Sequence, residues 1–548
     1  MKKFIAVFFL SLIVAFSTWG QFPATVKPVK NVIVMISDGT SIGAISSARW
    51  YKMYNKMGGG LYLDPYFCGT VSTFESNSPI GDSAPTTSCY MTGVPSRAGF
   101  VATYPVVDPG NDLVPIDPAM AYQPLVTLLE AARIQQDKST GIVVTCEFPH
   151  ATPADCSSHY YDRSNYKFIA SQMAYNNLDV LFGGGNSIVT DDMKSHFQNN
   201  GTTLIQDDVT AFRNFSGDGK LWALFGRMDM PYDLDRDPQK TPSLEEMTRK
   251  ALERLSKNRN GFFLMVEGSK VDWAAHANDA AGTITEFIAF DNAVGAALEF
   301  ARKDGETVIV VLSDHGNSGI TIGRNGWRGG TTLKALFGAV SQYKKTAPGI
   351  AAILNATPPD QIKTVFAQYT DINLIDNELQ TILQSRDYRM ADDTQERNSQ
   401  TLNSNLIQIM NSRTPFGFTT GGHTGEEVFL AVYHPSGDRP TGFTTNMQIN
   451  QYLYQAMGLA TPLPDLTRQL FARHREVLAD VKYEIDTTGD FPALTVTSGN
   501  NILTVRAFSS VAYLNGKPVD LGSVTVYVDK NNTFYLPADI LKRTGLNN

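Results

Sequence analysis

Short apolar runs rich in valine and isoleucine recur along this chain, and stretches with helical periodicity separate them. The five clearest runs are Val32–Ile36, Gly141–Thr145, Phe262–Val266, Thr307–Leu312 and Val428–Tyr433. Runs of this length without polar alternation indicate strands buried on both faces, as in a parallel sheet. Amphipathic stretches between them predict helices at Leu125–Ile134, at Ser243–Leu255 with a capping-box pair Ser243 and Glu246, and at Thr283–Lys303. The alternation predicts an α/β fold in which helices flank a central, mostly parallel sheet.

Three segments depart from this alternation. Lys2 and Lys3 precede the apolar stretch 4–16, and this pattern predicts a signal peptide over residues 1–20 rather than a buried N-terminal helix. Residues 316–422 are irregular and helical, and we interpret them as an insertion that covers the sheet edge or the site within a catalytic unit spanning 21–479. Residues 480–548 alternate in polarity and carry the turn pairs Asn515-Gly516 and Asn531-Asn532, which predict a small β-rich C-terminal domain.

Composition and the N-terminal pattern limit which molecules the protein can bind and where in or outside the cell it is expected. The formal net charge is −8 and no basic run stands out, which argues against a nucleic-acid partner. No segment after the signal is long and apolar enough to span a bilayer. The predicted signal peptide indicates export, to a periplasm in preference to the cell surface or the medium. None of the four cysteines lies in a C-x-x-C pattern, so a thiolate zinc site is not indicated, and disulfides and buried thiols both remain open.

Acidic residues and histidines follow or precede several of the predicted strands. They are Asp38 after the first run, Glu267, Asp272 and His276 after the third, Asp314 and His315 after the fourth, and His423 before the last. Alone, each such residue is more often a helix cap or a hydrogen-bonded structural group. In an α/β fold, however, the carboxyl ends of parallel strands meet at one edge, where ligands bind. Carboxylates mixed with imidazoles suit zinc and magnesium, so the sequence predicts a metal site there.

A candidate nucleophile and a candidate anion-binding group lie outside this set. Ser83 follows Asp82 in a Gly-led turn that runs into helix-compatible residues, so its side chain is expected at a helix N-terminus, which favours anions. The alternative is that Ser83 only caps the helix. His150 and Thr152 follow the second run, and Arg163 lies eleven residues beyond Thr152. Arginine offers a planar fork of donors that matches phosphate oxygens.

These motifs, in this order, resemble those of the alkaline phosphatase family, the zinc- and magnesium-dependent phosphomonoesterases of bacteria and animals. The likeness covers roughly residues 30 to 478. It rests on Ser37-Asp38-Gly39, Asp82-Ser83-Ala84, His150-Ala151-Thr152-Pro153 with Arg163, Glu267 through Asp272 to His276, Ser313-Asp314-His315 and His423-Thr424-Gly425. The resemblance implies hydrolysis of small phosphate monoesters through a phosphoseryl intermediate, and dimerisation is common in the family, so a homodimer is one arrangement it allows.

The resemblance also implies the roles of individual residues. One zinc ion would be held by Asp272, His276 and His423, and a second, beside Ser83, by Asp38, Asp314 and His315. A third ion, usually magnesium, would be held by Asp38, Thr152 and Glu267. Ser83 would be the nucleophile, Arg163 would bind two phosphate oxygens, and Asp82 would orient Arg163.

Two positions differ from the enterobacterial pattern of the family. Position 150 is His where that pattern has Asp beside the third metal, and position 273 is Trp where it has Lys. An imidazole at position 150 could change the preference of the third site or bind the ion directly. The identity of the third ion therefore stays open, with magnesium favoured.

Three other functions compete with that of a monoesterase. A sulfatase would carry an Arg at the end of the motif that Ser83-Ala84-Pro85-Thr86-Thr87 otherwise matches, and it would lack the site of Asp272, His276 and His423. A phosphodiesterase of the same superfamily would have less use for Arg163, because its substrate carries less phosphoryl charge. A non-catalytic surface protein would have lost one of these residues, and none is missing. If residues 480–548 bind a surface polymer, their removal is expected to leave catalysis intact.

Overall fold

The computed structural model describes residue 23 and residues 25–387 and 395–546. The predicted signal peptide, residues 1–20, lies outside this part of the chain. The strands, labelled in chain order, are β1 (Asn31–Ser37), β2 (Phe67–Ser72), β3 (Ser139–Glu147), β4 (Val180–Gly184), β5 (Thr202–Gln206), β6 (Lys220–Leu224), β7 (Phe262–Gly268), β8 (Thr307–Leu312), β9 (Gly316–Asn317), β10 (Thr321–Ile322), β11 (Phe416–Gly417), β12 (His423–Thr424), β13 (Val428–Tyr433), β14 (Gly442–Thr445), β15 (Ala472–Arg473), β16 (Lys482–Asp486), β17 (Ala493–Ser498), β18 (Asn501–Arg506), β19 (Val511–Leu514), β20 (Lys517–Asp520), β21 (Val526–Val528) and β22 (Thr533–Leu536).

Helices occupy most of the connections between these strands. The α-helices are Ile42–Tyr54, Ser83–Thr92, Leu128–Gln136, Ala151–Ser157, Tyr166–Tyr175, Asp191–Asn199, Val209–Asn214, Leu244–Leu255, Lys270–His276, Ala280–Asp304, Leu333–Phe337, Ala347–Asn355, Ile362–Thr370, Asp376–Asp387, Gln395–Asn411, Asn446–Met457, Leu463–Leu470, His474–Val477 and Ile540–Arg543. The 3₁₀ turns are Asp64–Tyr66, Pro118–Met120, Asn186–Ile188, Val340–Gln342, Pro359–Gln361 and Asp529–Asn531.

Ten strands form one central sheet in the order β14-β2-β13-β8-β1-β7-β3-β4-β6-β5. Nine of them run in the same direction, and β13 is antiparallel to both of its neighbours, β2 and β8. The side chains of β1 alternate between two hydrophobic clusters: Val32, Val34 and Ile36 belong to one, and Ile33 and Met35 to the other. Because successive side chains of a strand point to opposite faces, the sheet lies between two apolar layers. The predicted α/β fold is confirmed.

The five strands predicted from apolar runs are all present, but one runs in an unexpected direction. Val428–Tyr433 was expected to be a parallel strand, and this expectation is wrong because β13 pairs antiparallel, Leu430 facing Leu312. An apolar run records burial on both faces and carries no information on chain direction.

The predicted helices are present with shifted starts. The helix expected from Leu125 begins at Leu128, because Thr127 and Glu130 form a capping box there. The helix Leu244–Leu255 has Ser243 as its N-cap, and the Ser243 side chain accepts from the Glu246 N–H. The Glu246 side chain does not return the bond to the Ser243 N–H that a capping box would contain, and its carboxylate instead pairs with Arg213 at 2.6 Å. The third predicted helix extends over Ala280–Asp304.

Within its described part, the segment 316–422 contributes short strands, five helices and the apolar side chains Phe337, Ile350 and Leu402 to one of the two core clusters. Residues beyond 480 form a five-stranded antiparallel sheet, β16-β17-β18-β19-β20, and part of a second sheet, β15-β22-β21. The second sheet takes β15 from before residue 480. Apolar side chains of this region, including Val526 and Phe534, belong to the core cluster that also contains Val32.

All four cysteines lie in the described part of the chain and are free thiols, which decides the question that the sequence left open. Within residues 25–387 and 395–546, no helix combines the length and the apolar content needed to cross a bilayer.

Candidate active site

Four candidate residues meet at the carboxyl ends of three adjacent strands. Asp38 follows β1 directly, Asp314 and His315 follow β8, and Glu267 is the penultimate residue of β7. Because β7, β1 and β8 are parallel neighbours, their ends present these side chains at one edge of the sheet. All four residues are fully buried. The structure therefore brings these four residues together at this edge of the sheet.

A glycine makes room for the cluster at its centre. The Gly39 N–H donates to Asp314 Oδ1 at 3.0 Å, and its φ of +57° lies in the left-handed region. A Cβ atom at this position would lie 2.1 Å from Asp272 Oδ1. Both the backbone conformation and the close approach of Asp272 therefore require glycine here.

The first group of potential metal ligands consists of Asp272, His276 and His423. The helix Lys270–His276 places Asp272 and His276 one turn apart, with 3.4 Å between Asp272 Oδ2 and His276 Nε2. His423, on β12, brings its Nε2 atom to 3.1 Å from His276 Nε2 and 3.8 Å from Asp272 Oδ1. The Nδ1 atoms of both histidines face backbone carbonyls, His276 at 2.9 Å from Gly421 O and His423 at 2.8 Å from Gly81 O. These contacts direct both Nε2 atoms toward Asp272.

The second group consists of Asp38, Asp314 and His315. The His315 Nε2 atom lies 3.4 Å from Asp38 Oδ1 and 3.6 Å from Asp314 Oδ2. Its Nδ1 atom faces Gly316 O at 3.2 Å, so Nδ1 carries the donor proton and Nε2 is free to act as a ligand.

Ser83 lies against the second group. It is the first residue of the helix Ser83–Thr92, is 2% exposed, and its Oγ atom is 3.1 Å from His315 Nε2 and 3.5 Å from Asp38 Oδ1. The alternative in which Ser83 only caps the helix is wrong, because the N-cap is Asp82. The hydroxyl therefore lies at the N-terminus of a ten-residue helix and beside the second group of potential ligands.

Arg163 lies on the far side of Asp82. Its Nη1 donates to Asp82 Oδ1 at 2.6 Å, and its Nη2 lies 3.3 Å from His150 Nε2. Burial alone would raise the pKa of Asp82, but the charge and hydrogen bond of Arg163 outweigh burial and lower it. The arginine side chain keeps 26% of its surface exposed, so the guanidinium is oriented by two partners and still accessible.

A third group contains Cys146, His150 and Glu267, whose ligand atoms lie within 4.8 Å of one another. Cys146 was not anticipated from the sequence, and its Sγ donates to Glu267 Oε2 at 3.7 Å. It lies one residue beyond the predicted strand Gly141–Thr145, in the part of β3 that continues to Glu147. A longer strand prediction would have drawn attention to it. Thr152 is fully buried in the adjoining helix Ala151–Ser157.

Two orienting residues were also missed by the sequence analysis. Asn317 Nδ2 donates to Asp272 Oδ1 at 2.7 Å, and Ser269 Oγ accepts the N–H groups of Thr145 and Cys146, both at 3.2 Å. Neither belongs to a recognisable motif. Asn317 does follow His315 by two residues, and this position just beyond β8 is the one sequence signal that points to it.

The chemistry of the cluster fits metal ions. Burial, and then the neighbouring carboxylates, raise the pKa of Asp38 well above its usual range and that of Glu267 to about 8. In the described part of the chain, several buried atoms of the candidate residues have no hydrogen-bond partner: Asp38 Oδ2, Asp314 Oδ2, Glu267 Oε1, Thr152 Oγ1 and His150 Nδ1. Buried carboxylates that repel each other, and that each keep one oxygen without a donor, are costly as anions unless cations compensate their charge. Oxygen and imidazole ligands of this kind suit zinc and magnesium.

Comparison with known proteins agrees with this site. The family model described as alkaline phosphatase matches residues 29–459. Alkaline phosphatase 4 of Bacillus subtilis is 33% identical over 435 residues, 76% of this chain and 86% of that protein. Alkaline phosphatase 3 of the same organism is 30% identical over 444 residues, 78% of this chain and 89% of that protein.

A solved structure gives the same result for the fold. The crystal structure of a cold-active alkaline phosphatase from Shewanella sp. superposes with a TM-score of 0.67 at 26% identity, covering 78% of this chain and 99% of that one. With the family match over more than half of its length, this chain is an enzyme of the alkaline phosphatase family, the metal-dependent hydrolases of phosphate monoesters.

Proposed function

We propose that this enzyme hydrolyses phosphate monoesters through a phosphoseryl intermediate on Ser83, at a site that binds two zinc ions and a third ion, with magnesium favoured. The observation that carries the proposal is the position of Ser83 Oγ, 3.1 Å from His315 Nε2 at a helix N-terminus. A hydroxyl in this place has potential metal ligands on one side and helix N–H groups on the other, and both favour an oxyanion and a phosphoryl group.

The residues divide among three ions in this proposal. Asp272, His276 and His423 hold one zinc ion, and Asp38, Asp314 and His315 hold the other. Asp38, Thr152 and Glu267 hold the third ion, and His150 and Cys146 lie close enough to Glu267 to influence which ion binds. When bound, the ions supply the positive charge that favours ionisation of the attacking oxygen and stabilises the departing one.

The chain's own groups then carry the reaction. Arg163 binds two oxygens of the phosphoryl group, and Asp82 holds its guanidinium in place at 2.6 Å. Ser83 Oγ attacks phosphorus, forms the Oγ–P bond as the P–O bond to the alcohol breaks, and the alcohol leaves. Water then attacks the phosphoseryl group, releasing inorganic phosphate and restoring the Ser83 hydroxyl.

The test is an assay of the zinc- and magnesium-loaded protein on p-nitrophenyl phosphate, bis-p-nitrophenyl phosphate and p-nitrophenyl sulfate. We expect the monoester to be preferred, and we expect turnover to collapse after chelation and in Ser83→Ala. Ser436→Ala, a matched change at an exposed serine, is expected to retain activity. Preference for the diester or the sulfate would overturn the substrate class, and full activity of Ser83→Ala would overturn the nucleophile.

Export is part of the same proposal. The cationic start and short apolar stretch of residues 1–20 support a cleaved signal peptide and a periplasmic enzyme. Fractionation of expressing cells, with N-terminal sequencing of the mature protein, tests it. Recovery of the intact chain from the cytoplasm would contradict it.

A further inference from the structure

The segment that carries Arg163 is held from one side by the catalytic unit. The Arg163 N–H donates to Gly99 O at 2.8 Å, and Tyr160 and Val101 exchange backbone hydrogen bonds of 2.7 and 3.0 Å. These bonds attach residues 160 and 163 to the segment 99–101, and they do not involve the side chain of Tyr161 between them.

The C-terminal region supplies those contacts. Tyr161 OH donates to Asp529 Oδ1 at 2.5 Å, and Lys530 Nζ lies 5.3 Å from the centre of the Tyr161 ring. Asp529 and Lys530 belong to the 3₁₀ turn that connects β21 to β22. Tyr161, two residues before Arg163, is thus hydrogen-bonded to Asp529, which lies 368 positions further along the chain.

The turn that carries Asp529 is itself attached to the catalytic unit. β22 pairs with β15, and the Phe534 N–H donates to His474 Nδ1 at 3.1 Å. Arg475 donates to the carbonyls of Asn531 and Asn532 at 3.4 and 3.2 Å. These contacts fix the position of the turn, so that the Asp529 carboxylate is held where it accepts the hydrogen bond from Tyr161.

A second contact of the C-terminal region supports the same segment. The Phe508 ring stacks on Phe168 with 4.2 Å between centroids and meets Tyr160 edge-on at 5.6 Å. Phe508 is fully buried and adopts a φ of +62°, a strained conformation for a residue with a bulky side chain. Such a conformation persists only where surrounding contacts enforce it. Ser171 Oγ contributes one, donating to Phe508 O at 2.8 Å.

We propose that Asp529 is a positioning residue for Arg163, acting through the Tyr161 hydroxyl, so that the C-terminal region takes part in phosphate binding. The inference rests on the role of Arg163 in the proposed function. A guanidinium whose backbone segment is fixed in advance loses less conformational freedom when it binds the phosphoryl group. The inference departs from the expectation that residues 480–548 can be removed without effect on catalysis.

The test uses point substitutions in the full, metal-loaded chain, because deletion would also expose the core contributed by Val526 and Phe534. Tyr161→Phe removes only the hydroxyl, and Asp529→Asn removes only the charge of its partner. Tyr343→Phe is the matched control, since it removes a phenol hydrogen bond to Met410 O elsewhere in the fold. We expect KM for the monoester and the inhibition constant of inorganic phosphate to rise about three- to tenfold in Tyr161→Phe, with a smaller change in kcat.

A double-substitution cycle separates positioning from packing. In an Arg163→Ala background, Tyr161→Phe is expected to add no further rise in the inhibition constant of phosphate, because its effect acts through Arg163. Independent, multiplying effects would overturn the inference, and so would an unchanged constant in Tyr161→Phe alone. If Arg163→Ala itself leaves phosphate binding unchanged, the phosphate contact of the proposed function fails together with this inference. If Arg163→Ala weakens phosphate binding but Tyr161→Phe does not, only this inference is refuted and the proposed function stands.

Discussion

The Nε2 atoms of His276 and His423 face each other at 3.1 Å. Each ring directs its Nδ1 atom to a backbone carbonyl, and a carbonyl only accepts hydrogen bonds. Each neutral ring therefore carries its proton on Nδ1, and two lone pairs point into the same space. Burial, and then the neighbouring His315, lower the pKa of His423. Protonation of this ring is therefore an unfavourable way to relieve the repulsion between the two lone pairs. A cation held by both histidines would remove this repulsion.

Zinc is accordingly expected to stabilise the protein through this pair. At a free zinc concentration one hundred times its dissociation constant, the free energy of unfolding should rise by roughly 3 kcal/mol per site. His423→Ala should bind one zinc ion fewer per chain, measured by elemental analysis, and gain less thermal stability from zinc. The control is His434→Ala, because His434 contacts the Lys27 carbonyl away from the site. Equal zinc content in the two variants would contradict the assignment.

Gly39→Ala should damage both stability and metal binding. The new Cβ would lie 2.1 Å from Asp272 Oδ1, in addition to the strain of a left-handed backbone. We expect a loss of at least about 2 kcal/mol in unfolding free energy and weaker zinc binding by Asp272. Gly305→Ala is the control: its φ is +74° but its Cβ would meet open space, so only the backbone term of about 1 kcal/mol applies. Similar losses in both variants would show that contact with Asp272 is unimportant.

His150→Asp should make activity more dependent on magnesium. His150 lies in the third group with Glu267, and a carboxylate would replace an imidazole with a harder, charged ligand that suits this ion. The measurement is a magnesium titration of activity at fixed zinc. An unchanged titration curve would show that position 150 does not set the preference of the third site. Because His150 also contacts Arg163 Nη2, a parallel measurement of phosphate inhibition separates the two effects.

Glu286 gives the protein a stability that falls as pH rises. Burial, and then Asp233, raise the pKa of Glu286 to about 8 from an ordinary value of 4.5. Between these values the folded state holds a proton that the unfolded state has lost, so the stability is present below about pH 4.5 and is lost as pH rises through about 8.

Glu286→Gln keeps an acceptor for the Asp233 N–H, which donates to Oε1 at 2.5 Å, and removes the titration. We expect its stability relative to the parent to improve by on the order of 4 kcal/mol between pH 5 and pH 9, measured by denaturant unfolding. The exposed Glu299 on the same helix, paired with Arg249, is the site for a control substitution, Glu299→Gln, without this pH dependence. A constant difference across the pH range would disprove the buried titration.

The sequence was most informative where local pattern and strand geometry combine. Asp38, Glu267 and Asp314 were identified because each adjoins an apolar run, and parallel strands bring such positions to one edge. Asp272 and His276 were paired because four residues make about one helical turn. These inferences need no knowledge of distant contacts, and the structure brings the residues of each group close together.

Other features depend on contacts that a local pattern does not record. The direction of β13 follows from its pairing with β2 and β8, and Cys146 and Asn317 reach the site through the packing of elements far apart in the sequence. The pair Asn515-Gly516 marks the hairpin between β19 and β20, but it says nothing of where that sheet docks. The sequence pattern therefore could not predict contacts such as the hydrogen bond between Tyr161 and Asp529.

The reversed direction of β13 has a consequence for incomplete chains. Because this strand runs against its neighbours, the segment that leads into it, with His423 on β12 five residues before Val428, lies at the edge where the other strands end. The proposed ligands thus extend from Asp38 to His423, across nearly the whole family match. A stalled or proteolytically clipped product that stops before residue 423 lacks a ligand even if every earlier strand has folded. If His423 is a ligand, as proposed, hydrolysis requires a chain translated through this residue, and shorter fragments are expected to be inactive.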